Sequence, residues 1–158
     1  MDEAVFIALC ERHMAALYRM AVSILRSPAD AEDAVQQTLL NAWRARSRAK
    51  PGLERAWLMR IVINESLTLL RRRKRTIPTE DFPTLMAPET DSSSALHDAI
   101  HTLPESLRTP LLLHYMEGFS EKEIASILSI TQAAVKSRMH RARKALRLEL
   151  EDAEVRFV

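Results

Sequence analysis

Between Gln132 and Leu148 the chain carries six Lys/Arg and no acid. At about 100° per residue, Gln132, Ala133, Lys136, Ser137, His140 and Arg141 fall on one side of a helix. The opposite side carries Val135, Met139, Ala142, Leu146 and Leu150. Lys and Arg so placed can pair with phosphates or guanine edges, and a glutamine can read adenine. Thr131, at the helix start, and Arg138, within the same basic run, complete the set of candidate duplex-DNA contacts. A basic, solvated helix of a small bundle would share this composition, but the preceding residues argue for more. Ser120-Glu121-Lys122-Glu123 is a capping box ahead of Ile124, Ala125, Ile127 and Leu128, and Ser129-Ile130-Thr131 supplies a three-residue turn. A capped helix of about eight residues, a short turn and a basic helix make a helix-turn-helix. Ala125 is small where the two helices must approach, and Ile130 and Val135 pin one helix to the other.

A second basic constellation lies earlier. Trp57, Arg60, Asn64, Thr68 and Arg71 form one polar strip on an otherwise apolar helix, which leads into Arg71-Arg72-Arg73-Lys74-Arg75. The adjoining loop, from Ala45 to Glu54, is flanked and filled by Arg44, Arg46, Arg48, Lys50 and Arg55. Bases at a helix C-terminus also suit the helix dipole and by themselves mean little. Joined to an aromatic platform and a basic loop, they suit single-stranded nucleic acid. Trp57 reads equally well as core or stacker, whereas Trp43 reads as core.

A third face has the opposite character. Asp33, Gln36, Gln37, Leu40 and Asn41 share the outer side of a helix whose inner side holds Ala31, Val35, Thr38, Leu39 and Ala42. An acidic face without a base does not attract DNA, so this face reads either as ordinary solvent exposure or as a docking surface for a protein with basic residues.

Catalysis finds little support. The five histidines are scattered, and His97-Asp98-His101 reads as a helix surface rather than a metal site. There is no glycine-rich phosphate loop and no nucleophile elbow. Cys10 is the only cysteine, which excludes an intramolecular disulfide and reads as a small buried hydrophobe. No enzyme activity, cofactor or metal is expected.

These faces must be carried by helices. With two glycines in 158 residues and an excess of Ala, Leu, Arg and Glu, the composition predicts an all-α chain. Thr76 to Ser94 contains Pro78, Pro83, Pro88, three consecutive serines and four acids without a base, and reads as an extended acidic linker. Two small helical domains are therefore expected, at 1–75 and 95–158. The first carries a net +6, while the second is neutral with its bases gathered near one helix. In the first, an apolar stripe from Phe6 to Leu25 gives one helix. Ser27-Pro28-Ala29-Asp30 stops it and caps the next, Pro51-Gly52 makes a turn, and a central helix runs from Ala56 to about Arg75. In the second, Leu96, Ala99, Ile100 and Leu103 form a short helix, and another runs to Glu117 with Gly118 as its stop. Pro110 inside it predicts a kink or a restart. No signal peptide is read at the N-terminus and no run approaches the ~20 apolar residues of a membrane span, so a cytoplasmic protein without membrane insertion is expected.

Three stretches together resemble a bacterial sigma factor of the extracytoplasmic-function (ECF) group: SPADAEDAVQQTLLNAWRA, AWLMRIVINESLTLLRRRKR and LPESLRTPLLLHYMEGFSEKEIASILSITQAAVKSRMHRARKAL. They cover most of both expected domains in the family's order. The resemblance implies a subunit that joins core RNA polymerase and directs it to promoters. Asp33, Gln36 and Trp43 match the motif by which the family grips the clamp helices of the largest polymerase subunits, with Asp30, Gln37 and Leu40 beside them. Arg46, Arg48, Lys50, Trp57, Arg60, Asn64, Arg71 and Arg72 correspond to the part that opens and reads the minus-ten element. The helix from Gln132 corresponds to the reader of the minus-thirty-five element. The linker would thread toward the active-site channel, and an anti-sigma partner is expected. Several residues depart from the pattern: Ile63 stands where arginine is common, Thr68 where aspartate is, and Glu65 where an apolar residue is usual. Pro110 is also atypical. Glu65 should be exposed, paired or strained. Ser129 replaces a turn glycine, at a cost up to roughly 1 kcal/mol if the turn needs positive φ. Two other classes stay in view, a sigma-like decoy for an anti-sigma factor and a plain operator-binding regulator.

Overall fold

The computed structural model describes residues 1–76 and 94–156, which form seven α-helices and one 3-10 turn with no strand among the described residues. The chain divides into two compact units, Met1–Leu85 and Met86–Val158. The expected acidic linker falls, except for its two end residues, outside the described residues. Among those described, no helix is long and apolar enough to cross a membrane.

In the first unit, α1 (Glu3–Leu25) starts at Asp2, whose carboxylate accepts the Val5 N–H at 2.9 Å. Its stripe buries Phe6, Cys10, Leu17, Met20, Ala21, Ile24 and Leu25, as the periodicity predicts. Burial raises the pKa of the Cys10 thiol, which keeps it protonated and unreactive. The helix ends where Arg26 takes a left-handed conformation at φ 56°. Ser27 then caps α2 (Pro28–Arg44) by accepting the Asp30 N–H at 3.2 Å, with Pro28 at the first helical position. Thr38 is fully buried and donates to the Ala34 carbonyl at 2.7 Å, so its hydroxyl carries no unmet demand.

Arg46–Arg48 form the 3-10 turn, so the loop is more ordered than its composition suggests. The Lys50 carbonyl then accepts the Leu53 N–H at 3.0 Å across Pro51-Gly52, with Gly52 at φ 84°. This is the turn a Pro-Gly pair encodes. It delivers the chain directly into α3 (Glu54–Thr76), which begins two residues before Ala56. The helix packs against both α1 and α2, as expected of one apolar over most of its circumference. Leu58, Met59, Val62 and Ile63 are buried, at roughly 1.5–3 kcal/mol each. Ile63 thus serves the core where an arginine could not.

In the second unit, α4 (Ser94–Thr102), α5 (Glu105–Tyr115) and α6 (Glu121–Leu128) all pack on α7 (Gln132–Arg156). Ala99 and Leu103 are buried as expected, but Leu96 is exposed and Ile100 only half-buried. Of the kink or restart expected at Pro110, the restart does not occur: helix α5 runs through it. Proline there removes the bond to the Ser106 carbonyl, on an exposed residue that water can reach, while Pro110 to Leu113 are buried. Packing outweighs one lost bond. The helix ends at Tyr115, two residues short of Glu117, and Gly118 follows at φ 76°.

The Ser120 capping box forms in full, with reciprocal bonds of 3.0 and 3.1 Å to Glu123. Ser129 terminates α6 in the left-handed region at φ 57°, ψ 44°. The strain anticipated for a residue with a Cβ is therefore present. Ser129→Gly should raise stability by about 0.5–1 kcal/mol, part of the relief being offset by the freer unfolded chain. Urea denaturation followed at α6 and α7 measures it, and an unchanged or lowered midpoint would show that the serine is unstrained.

Candidate protein- and nucleic-acid-binding faces

Positions 33, 36, 37 and 40 recur at helical spacing, and α2 presents Asp33, Gln36, Gln37 and Leu40 together on an exposed face. Leu40 is 52% exposed, an apolar residue set among acceptors and amides. Asp30 and Trp43 are engaged elsewhere. The Arg73 guanidinium of α3 pairs with the Asp30 carboxylate and donates to the Leu25 carbonyl at 2.8 Å. It therefore fastens the α1–α2 corner, a role that the basic run containing it does not reveal. Trp43 packs edge-on against Phe6 at 5.2 Å between ring centroids, and Arg46 lies 3.7 Å above its ring. Asn41 is half-buried and donates to the Glu65 carboxylate at 2.6 Å, so Glu65 is paired rather than strained.

On α3, Arg60, Asn64 and Arg71 are exposed along one strip, with Trp57 half-exposed at its start. Thr68 is half-buried and spends its hydroxyl on its own helix, donating to the Asn64 carbonyl at 2.8 Å. Arg48 and Lys50 are exposed before α3, and Arg72 is exposed near its end. Arg46 is held by its stack on Trp43 and by donating to the Trp43 carbonyl at 2.7 Å, which leaves it less free than its neighbours to follow a strand. Near the start of α3, burial and then the charges of Arg55 and Arg12 push the pKa of His13 down, opposed by Glu54. The imidazole thus stays neutral and adds nothing to the positive field.

On α7, Val135, Met139 and Ala142 are buried, while Gln132, Ala133, Lys136, Ser137, His140 and Arg141 are all exposed. Thr131 spends its hydroxyl oxygen on the Ala134 N–H at 3.0 Å and acts as the N-cap. Arg138 is half-buried and turned away from the exposed row, toward the flank of the buried stripe. Arg143, Lys144 and Arg147 are exposed and extend the basic side by two further turns. The Arg143 Nε donates to the Tyr115 hydroxyl at 2.9 Å, with its guanidinium 5.6 Å from the ring centroid. Continuing the spacing beyond His140 would have found these bases in the sequence.

The model of Sigma-70 region 2 matches residues 9–76, and that of Sigma-70, region 4 matches residues 93–146. The ECF RNA polymerase sigma factor SigM of Mycobacterium tuberculosis is 35% identical over 150 residues, covering 92% of this chain and 76% of SigM. The chain belongs to the ECF group of the sigma-70 family. A second relative, the ECF sigma factor SigE of Mycolicibacterium smegmatis, is 32% identical over 152 residues, covering 88% of this chain. That match spans 59% of SigE's own length. Among solved structures, the sigma factor RpoE in complex with the anti-sigma factor NepR from Bartonella quintana superposes with a TM-score of 0.81. It is 28% identical and covers 92% of this chain and 96% of RpoE. In this sigma factor the α2 face and the α3 strip lie within region 2, and the helix-turn-helix within region 4. A plain operator-binding regulator would leave the region 2 match unexplained.

Proposed function

We propose that this sigma factor binds core RNA polymerase and directs it to a specific set of promoters, as a DNA-binding initiation subunit and not as an enzyme. The observation that carries the reading is the separation of chemistry: an acceptor-rich face with an exposed leucine on α2, and exposed basic faces on α3 and α7. Asp33, Gln36, Gln37 and Leu40 dock the clamp helices of the largest polymerase subunit, while Asp30 and Trp43 hold the corner and the flank of that face. Trp57, Arg60, Asn64 and Arg71, with Arg48, Lys50 and Arg72, receive the opened minus-ten strand, and Arg46 supports Trp43. Gln132, Ala133, Lys136, Ser137, His140 and Arg141 meet the minus-thirty-five duplex, helped by the positive charges of Arg143, Lys144 and Arg147 against its phosphates.

The domains follow the same division: residues 1–75 for polymerase and minus-ten binding, 76–94 as the connecting linker, and 95–158 for minus-thirty-five binding. The protein works in the cytoplasm, where its polymerase is, and an anti-sigma factor is its regulator, as the complex of the similar RpoE supports. The decoy reading is weaker, since a decoy has no need of an exposed basic row on α7.

Run-off transcription with purified core polymerase on promoter fragments tests the proposal. Specific initiation dependent on the added chain is expected; the absence of both core binding and stimulated initiation would refute the proposal. At the level of one residue, Arg141→Ala should weaken duplex binding about 3- to 10-fold and reduce the log–log salt slope by about 0.9. Titrations at several salt concentrations measure both, and an unchanged slope would place the phosphate contacts elsewhere.

A further inference from the structure

The Gln37–Asn41–Glu65 chain has a direction that the individual residues do not. Glu65 on α3 is half-buried, and its Oε1 accepts the Asn41 Nδ2–H at 2.6 Å. Asn41 Oδ1 in turn accepts the Gln37 Nε2–H at 3.0 Å. An ionised carboxylate can only accept, so Asn41 must offer it the NH2 end of its amide. The Asn41 oxygen is then turned toward Gln37, and only the NH2 end of Gln37 can meet it. One Gln37 N–H is thereby spent inside the fold, which leaves the carbonyl oxygen of this exposed residue, one helical turn from Asp33, as the end of the amide not drawn toward Asn41. A buried-side charge on α3 thereby fixes the polarity of an amide on the exposed face of α2.

We infer that Glu65 is a positioning residue for the α2 docking face: through Asn41 it locks Gln37 as a hydrogen-bond acceptor, so that Gln37 and Asp33 together select a partner surface bearing Arg or Lys donors. The inference rests on the docking reading of α2 proposed above and adds to it a residue that never touches the partner. Without Glu65 the chain of amides has two equivalent directions, and half of its orientations turn an N–H toward an incoming guanidinium. Charge-assisted bonds to a correctly oriented carbonyl are the stronger class, so the orientation has a cost in affinity when lost.

The test uses the full chain and purified core RNA polymerase. Glu65→Gln keeps size and shape but can donate or accept, and should weaken core binding about 2-fold, because only half of the orientations then present the acceptor, while thermal unfolding and duplex-DNA affinity stay at wild-type values. Gln37→Ala removes the contact outright and should weaken core binding about 3- to 10-fold in the wild-type background, the range spanned by one net hydrogen bond, but by only about half that factor in the Glu65→Gln background. A wild-type affinity for Glu65→Gln, or strictly additive losses in the double variant, would overturn the inference. A measurement on the unaltered protein guards against a folding defect: one Asn41 side-chain amide proton should exchange slowly with solvent, and fast exchange of both overturns the inference as well. Asp33→Arg separates this idea from its premise. If it abolishes core binding while Glu65→Gln does not weaken it, only the positioning role fails; if Asp33→Arg is silent too, the docking face itself is misplaced.

Discussion

Asp33→Arg is expected to lower the affinity for core RNA polymerase by about 100-fold or more, with duplex-DNA affinity unchanged. Asp33 is exposed on α2 between Gln36 and Gln37, and among the described residues neither an ion pair nor a hydrogen bond restrains it in the way Arg73 restrains Asp30. Its carboxylate is thus available to a partner. Reversing its sign removes an attraction and places a cation where the partner offers cations. Like-charge juxtaposition at an interface costs several kcal/mol, and about 2.8 kcal/mol is a factor of 100. The fold should survive the change, because the site is solvated and a cation in the first half of a helix costs only about 0.3–1 kcal/mol against the dipole. Fluorescence anisotropy with labelled chain and unlabelled core polymerase measures the loss, and run-off transcription should fall in parallel. Near-wild-type core affinity would remove α2 from the interface. A joint loss of core and duplex binding would indicate misfolding instead.

The difference between Asp33 and Asp30 also shows what a sequence can and cannot reveal. Both acids lie in the first half of α2; helical spacing puts Asp33 on the outer face, and the family resemblance sets Asp30 beside it in the same binding set. Their roles separate only through Arg73, 43 residues further along the chain. Asn41 was similarly drawn to α3 by Glu65, 24 residues away, and Arg46 was drawn to the Trp43 ring that it follows. Local chemistry was more legible. Ser27, Ser120 and Thr131 cap the helices their types and spacing predict, and Gly52 and Gly118 sit at positive φ where the turns need them. The helix-turn-helix was the clearest element because each of its boundaries has its own local signal. At Pro110 a strong local signal did not restart the helix, where Leu111, Leu112 and Leu113 are buried just beyond it. Stripes therefore identify faces reliably, while the assignment of polar residues on a face depends on contacts across the chain. For a binding protein that distinction matters, since a side chain already paired within the fold is a scaffold for the interface before it is a contact.

The scaffold of the duplex-reading face can be tested at its centre. Met139 is fully buried on α7, the helix against which α4, α5 and α6 all pack. Met139→Ala should destabilise the second unit by about 2–5 kcal/mol through lost burial and the cavity left behind. A unit of this size has only about 3–9 kcal/mol in total, so the variant should populate unfolded forms of α4 to α7 at physiological temperature. Hydrogen exchange should accelerate throughout those helices and remain unchanged in α1 to α3, whose core shares none of these residues. Duplex binding should fall at least about 10-fold, because Lys136, His140 and Arg141 keep their spacing only while α7 is helical and anchored. Met139→Leu, which conserves volume, should cost less than about 1.5 kcal/mol and preserve duplex binding. If Met139→Ala instead keeps wild-type exchange and wild-type duplex affinity, α7 is not held through this site. Core-polymerase affinity serves as the internal control: the α2 face lies in the other unit, so a variant that loses promoter reading while still occupying polymerase should inhibit transcription by wild-type chain in competition, and do so in proportion to its concentration.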